Sequence, residues 1–184
     1  ANRHRRKDLV ETIAYLRKLS DSLKNDDKES ELELFLEKAG EAGLRFQDLQ
    51  AKTGLIDSIL RQNLQQVLAK KSAVEADGIY LSRTVSEKLA AKTVETIKTH
   101  HKAEPLSRGM LRETLREKVF PHLPVEIFKK TLQILSERGE ISAEKDVVRI
   151  ASYSQNLSAN DKQILEKLTK IYETAKLEVP TLEN

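Results

Sequence analysis

The chain contains no cysteine, which removes disulfides, thiolate zinc sites and thiol nucleophiles together. Aromatic side chains make up 4% of its residues and charged ones 33%. That balance suits small helical modules with solvated faces and not an aromatic-rich β sandwich. No apolar run approaches the ~18 residues needed to span a bilayer, and residues 1–7 lead into a charged amphipathic stretch instead of a signal peptide. The expectation is a soluble, cytoplasmic protein with no membrane partner. "LSRG" at residues 106–109 lacks the Gly-Lys-Ser/Thr ending of a phosphate loop. No Ser or Thr has a plausible His partner, and no carboxylate is set in an apolar cleft that sequence identifies. Nothing supports an enzyme or a bound cofactor. An initiating Met is missing and the chain stops on "VPTLEN", so it reads as a fragment of a larger protein.

What is present is charge, unevenly spread. The 184 residues carry 32 Lys and Arg against 29 Asp and Glu, a net charge of +3, which permits nucleic-acid contact without arguing for it. Residues 1–18 hold six basic side chains against two acidic, residues 19–43 three against eight, and residues 105–138 seven against four. The acidic block reads as a solvated face.

Apolar spacing gives the elements. Leu9, Ile13, Leu16 and Leu19 step by four and three, predicting an amphipathic helix over residues 5–19, with a loop after it. Leu32, Phe35, Leu36 and Ala39 share a face that Gly40 ends, and a short helix closes at Gly54. A long helix follows with Ile56, Ile59, Leu60, Leu64 and Val67 as its stripe. Asp77-Gly78 then turns a hairpin between Val74 and the pair Ile79 and Leu81. The pattern recurs. Val85, Leu89, Lys92 and Thr96, with Val94 and Ile97, predict a long helix ending ahead of Pro105, and "SRGMLRETLREKV" a short one. Pro124 suits the first turn of a third helix whose Ile127, Phe128, Leu132 and Leu135 are buried and which Gly139 caps. A hairpin follows, with Ile141 facing Val148 and Ile150. The spacing between copies drifts from 67 residues (Val74 to Ile141) to 69 (Ile79 to Val148), which predicts a second turn two residues longer.

Three helices closed by a small hairpin, twice over, predict a mainly α fold of tandem winged-helix (helix-turn-helix) modules. The first module covers residues 1–83 with its lead-in helix, the second residues 84–152. A truncated third opens over residues 153–184, where Ile164, Leu165, Leu168 and Ile171 form a stripe.

In such modules the third helix can enter a major groove while the wing reaches the backbone. The exposed positions offered are Arg61, Gln62, Gln65 and Gln66 on one third helix and Lys129, Lys130 and Gln133 on the other. The wing regions add only Lys71, Arg83, Lys145 and Arg149. Each set also reads as a plain solvated helix face. The densest basic cluster, "NRHRRK", brings Arg3, Arg5 and Arg6, which suit phosphate contact or a solvated connector. Arg3, Arg5, Arg6, Arg61, Lys129 and Lys130 are the candidate nucleic-acid contacts. His100 and His101 point about 100° apart on a helix, so one ion does not take both, and no metal site is expected.

The stretches "HKAEPLSRGMLRETLREKV", "IFKKTLQILSERGEI" and "VVRIASYSQNLS" resemble the C-terminal extension of the bacterial selenocysteine-specific elongation factor, the SelB family. The resemblance rests on His101, Pro105-Leu106, Gly109 and Leu115-Arg116, and upstream on "RHRRKDLVETIAYL" and "LEKAGEAGLRFQDLQAKTGL". It implies a parent with a GTP-binding body that carries selenocysteyl-tRNA to the ribosome, followed by four winged-helix modules. The last module grips an mRNA hairpin that marks a UGA codon. This chain then holds a monomeric connector between body and gripping module, with GTP bound only in the parent. The second expectation is a tandem winged-helix regulator that binds duplex DNA, and a weaker third is a protein-interaction scaffold.

Overall fold

The computed structural model describes residues 2–153 and residues 167, 169 and 170, with side chains described from Leu9 onward. The stripe at Ile164, Leu165, Leu168 and Ile171 lies outside the described residues. The leading helix α1 (Asn2–Lys24) is longer than its apolar spacing predicts. Ser20 to Leu23 stay helical, and the Ser22 hydroxyl donates back to the Leu19 carbonyl at 3.0 Å, which satisfies that buried side chain inside the helix. Its predicted stripe is not a core face: Leu9, Ile13 and Leu16 are exposed. The helix instead lays half-buried Tyr15 and Leu19 and buried Ser22 on the side that meets its neighbour.

The first unit comprises α2 (Lys28–Ala39), a 3₁₀ turn (Gly40–Ala42), β1 (Leu44–Arg45), α3 (Phe46–Thr53), α4 (Asp57–Ala69), β2 (Ala73–Ala76) and β3 (Ile79–Ser82). Asp27 starts α2 by accepting the Ser30 N–H at 3.0 Å. Gly54 ends α3 in the left-handed conformation at φ 67°. Leu32, Leu36, Leu49, Leu60, Leu64, Val67 and Ala73 form one core. Each fully buried Leu contributes roughly 1.5–3 kcal/mol. Ile56 and Ile59, read as part of the α4 stripe, are exposed. Ile56 precedes the first helical residue, and Ile59 lies one residue, hence ~100°, from Leu60 on the buried line.

The second unit begins without a linker. Ser82, the last residue of β3, caps α5 (Arg83–Ala103) by accepting the Val85 N–H. Then come β4 (Met110–Leu111), α6 (Arg112–Val119), α7 (Val125–Glu137), β5 (Ile141–Glu144) and β6 (Val147–Ile150). Pro124 sits just ahead of α7 and not inside its first turn. The buried line of α5 is Val85, Ser86, Leu89, Ala90, Thr93, Ile97 and His101. Lys92 is exposed, and Thr96 lies off the line with its hydroxyl on the Lys92 carbonyl. The line was hidden because three members, Ser86, Thr93 and His101, are polar. Thr93 is buried with its hydroxyl on the Leu89 carbonyl at 2.8 Å.

Each unit has a three-stranded antiparallel sheet, ordered β1-β3-β2 and β4-β6-β5. The two-residue strands β1 and β4 carry no periodic signal of their own. Ala73 pairs with Ser82 as Ile141 pairs with Ile150, and Ala76 pairs with Ile79 as Glu144 pairs with Val147. Both hairpins therefore turn on two residues, Asp77-Gly78 and Lys145-Asp146, and the longer second turn is not found. The inward residue of β2 is Ala73, not half-buried Val74, and a small alanine does not announce itself as core.

The period of two along β3 places the units. Tyr80 packs against the first core. Ile79 and Leu81, with Ala76, belong to a second core with Val85, Leu89, Ile97, Met110, Leu115, Phe120, Ile127, Phe128, Leu132, Leu135, Ile141 and Val148. The first hairpin thus lies between two cores, giving Ile79 and Leu81 to the second and Tyr80 to the first.

Candidate nucleic-acid interface

The third helices α4 and α7 and the two hairpins are the parts of this architecture that can reach a groove and a backbone. On α4, Arg61 is already engaged. Its Nε donates to Asp57 at 2.8 Å, and its guanidinium lies 4.5 Å from the centre of the Phe46 ring. The hairpin beyond α4 is sandwiched between cores, and its tip carries Asp77 and Gly78. Unit one therefore presents little free positive charge here.

On α7, Lys129 and Lys130 separate by the helical rotation. Lys129 is exposed and lines a groove with Arg112, Gln133 and Ser136. Half-buried Lys130 lines a different groove, between α7 and the first hairpin, with Lys71, Glu75, Asp77, Glu87 and Arg138. There Arg138 grips Glu87 through two hydrogen bonds of 2.8 and 2.6 Å, and this hydrogen bonding holds the Glu87 carboxyl below its usual range. The structure does not bring Arg61, Lys129 and Lys130 together. Arg3, Arg5 and Arg6 lie on the first turns of α1, and their side chains are outside the described residues.

The second hairpin differs from the first. Its inner residues Ile141 and Val148 are buried, while Ser142, Glu144, Val147 and Arg149 line an open groove with Arg108, Lys145 and Tyr153. Lys145 at the turn has φ 44°. Its carbonyl accepts from Arg112 Nη1 at 3.0 Å, and the Arg112 N–H donates to the Asp146 carbonyl at 2.8 Å. Sequence reading left Arg112 out, although "GLRF" and "GMLR" align at Gly43 and Gly109 and set Arg112 opposite Phe46. Arg116 turns its Nε into a buried position with no hydrogen-bond partner among the described residues and approaches Glu113 at 3.5 Å.

The histidine pair divides its roles. His100 Nε2 is 3.2 Å from the Gly109 carbonyl and its Nδ1 is 3.6 Å from Glu104. His101 is buried, and its Nε2 accepts the Ile150 N–H at 3.3 Å. Among the described residues no group of three His, Cys, Asp or Glu side chains is placed to hold a metal ion, and no helix is long and apolar enough to cross a membrane.

A helix-turn-helix followed by a hairpin, built twice on the same plan, defines a tandem winged-helix protein. A family model described as "Elongation factor SelB, winged helix" matches residues 94–150, from the middle of α5 to the end of β6. That stretch is therefore similar to a SelB winged-helix domain. The chain is also similar to a selenocysteine-specific elongation factor of Desulfomicrobium baculatum, 23% identical over 146 residues. The match takes in 78% of this chain and 23% of the relative's length, so the chain spans less than a quarter of that protein.

Proposed function

We propose that this chain is a connector within a translation elongation factor for selenocysteine incorporation at UGA codons. In this reading a GTP-binding body carries selenocysteyl-tRNA to the ribosome in the cytoplasm, and a terminal module holds the mRNA hairpin. The present chain sets the spacing between them as a monomer and binds no cofactor itself. The chain divides into modules at residues 1–83 and 84–152, with a third opening at 153–184. The observation that carries the reading is the first hairpin, whose Ile79 and Leu81 are buried in the second unit's core while Tyr80 packs on the first. A wing spent on joining modules suits a stiff spacer. It weighs against the DNA-binding regulator, which needs its wings free, and so does the pairing of Arg61 with Asp57.

Titration of the chain with a selenocysteine-insertion hairpin and a scrambled hairpin at physiological salt tests this. The expected outcome is weak binding of both, without preference and falling steeply with salt. Nanomolar binding that discriminates between them would defeat the connector reading.

A further inference from the structure

We infer that the second unit carries a docking surface for the phosphate backbone of duplex RNA, made by Lys129, Lys145, Arg112 and Arg108. The four side chains come from α7, the second hairpin's turn, the start of α6 and the loop before β4. They meet around that turn: Lys129, Arg112 and Lys145 line one groove, and Lys145 and Arg108 the next. None of the four has a carboxylate partner within ion-pair distance among the described residues. The neighbouring carboxylates are largely taken: Glu144 by Arg149 at 2.6 Å, Glu113 by Arg116, and Glu137 by the Gln133 amide at 2.7 Å. Asp146 alone borders the patch without such a partner.

The repeat supplies an internal comparison. The first unit has Asp77 where the second has Lys145, Phe46 where it has Arg112, and Ala42 where it has Arg108. Its counterpart of Lys129 is Arg61, which Asp57 neutralises. One fold thus carries the same positions twice: among the described residues the first unit offers no unpaired cation at them, and the second offers four. Arg112 also holds the Lys145 carbonyl, which presents the lysine at the tip of the hairpin.

The chemistry favours a duplex backbone. Single-stranded nucleic acid is gripped by stacking its bases on exposed aromatic rings. The aromatics near this patch make no ready platform: Phe128 is buried, and Tyr153, which borders the groove, already has one face stacked on His101 at 3.6 Å. Scattered cations without a stacking platform bind phosphates, with little sequence preference. The choice of RNA over DNA rests on the translation-factor reading, whereas the surface itself does not.

The experiment is fluorescence anisotropy of the whole chain with a labelled mixed-sequence RNA duplex and its DNA counterpart over a salt series. The Lys129→Glu, Lys145→Asp double variant is compared with a Lys52→Glu, Lys88→Glu double variant of equal charge change, drawn from exposed positions elsewhere. Far-UV circular dichroism melts of both check the fold. The expected result is binding of RNA about tenfold weaker in the first variant, with the salt slope reduced by about one per lysine, and nearly unchanged in the second. Equal losses in both variants, no loss in either, or no duplex binding by the parent chain overturns the surface and leaves the connector reading standing. Tighter binding of DNA at the same lysines overturns the RNA assignment and counts against the translation reading. Displacement of the RNA by poly-glutamate at matched charge assigns the surface to an acidic protein and overturns the proposal.

Discussion

The ring of His101 lies flat on the ring of Tyr153, centroids 3.6 Å apart and planes inclined by 10°. The Tyr153 hydroxyl reaches the Pro105 carbonyl at 2.5 Å, so the pair ties the end of α5 to the chain leaving β6. Because His101 Nε2 accepts the Ile150 N–H, the neutral ring carries its proton on Nδ1, a buried atom with no hydrogen-bond partner among the described residues. Burial, and then the charge of His100, hold the His101 pKa below its ordinary 6.5. In the unfolded chain the ring takes up a proton first, so stability is full above the unfolded pKa and declines as pH falls through it toward the folded value. His101→Gln keeps an acceptor for Ile150 and removes the titration. Its urea midpoint is expected to change less than that of the parent between about pH 7.5 and about pH 5. Equal changes in the two proteins would show that His101 does not set the slope.

Burial of the first hairpin between two cores makes the units thermodynamically coupled. Ile79 is 1% exposed, and Ile79→Ala is expected to cost ~2–5 kcal/mol. The loss should register in both units, because the side chain sits in the second core while its strand closes the first sheet. Amide exchange resolved by segment is the measurement. Faster exchange in both α4 and α7 is expected, and a change confined to one of them would show that the units open separately.

Gly43 and Gly109 occupy matching places, just ahead of β1 and β4, where each backbone presses on its hairpin. A Cβ at Gly43 meets the Tyr80 carbonyl and Ile79 Cγ2 at 2.7 Å, and one at Gly109 meets the Val148 carbonyl and Val147 Cγ1 at 2.7 Å. Both have positive φ, 65° and 148°. Alanine at either site adds overpacking to an unfavourable backbone, together more than ~2 kcal/mol. Gly40 has φ 64° but open space around it, so Gly40→Ala is expected to cost only about 1 kcal/mol. Thermal melts of the three variants should separate the two glycines from the third.

Much of this fold was legible because apolar spacing and turn chemistry agree. Ile127, Phe128, Leu132 and Leu135 read as buried and are so, and Asp77-Gly78 turns a hairpin whose two residues both have positive φ. What escaped was structure without a local period. The strands β1 and β4 are too short to alternate, and Ala73, Ala76 and Thr93 are buried without looking apolar enough. The exposed line Leu9, Ile13 and Leu16 shows the converse, since spacing reveals amphipathicity but not what covers it. At the interface, Arg61, Lys129 and Lys130 stand out in the sequence by helix position alone. Sequence does not show that Asp57 takes Arg61 or that Lys130 turns toward the first hairpin. Arg112 became visible only once the two glycines fixed the alignment of the repeat.

The Glu87–Arg138 pair joins the second turn of α5 to the end of α7, and its worth is bounded by exposure. The geometry is a two-pronged fork, but the side chains remain 40% and 42% exposed, so water and salt screen most of the attraction. Arg138→Ala is therefore expected to cost below ~1 kcal/mol, well under the core substitution at Ile79. The sign with pH follows from the depressed Glu87 pKa, caused first by the Arg138 hydrogen bond. The contribution is present above the unfolded carboxyl value near 4.5 and is lost as pH falls through the lower folded value. Urea midpoints of the parent and the Arg138→Ala variant should differ slightly at about pH 7, converge at about pH 3, and lie closer together in high salt. A gap that persists in acid would mean that Arg138 acts through packing of its aliphatic stem and not through Glu87.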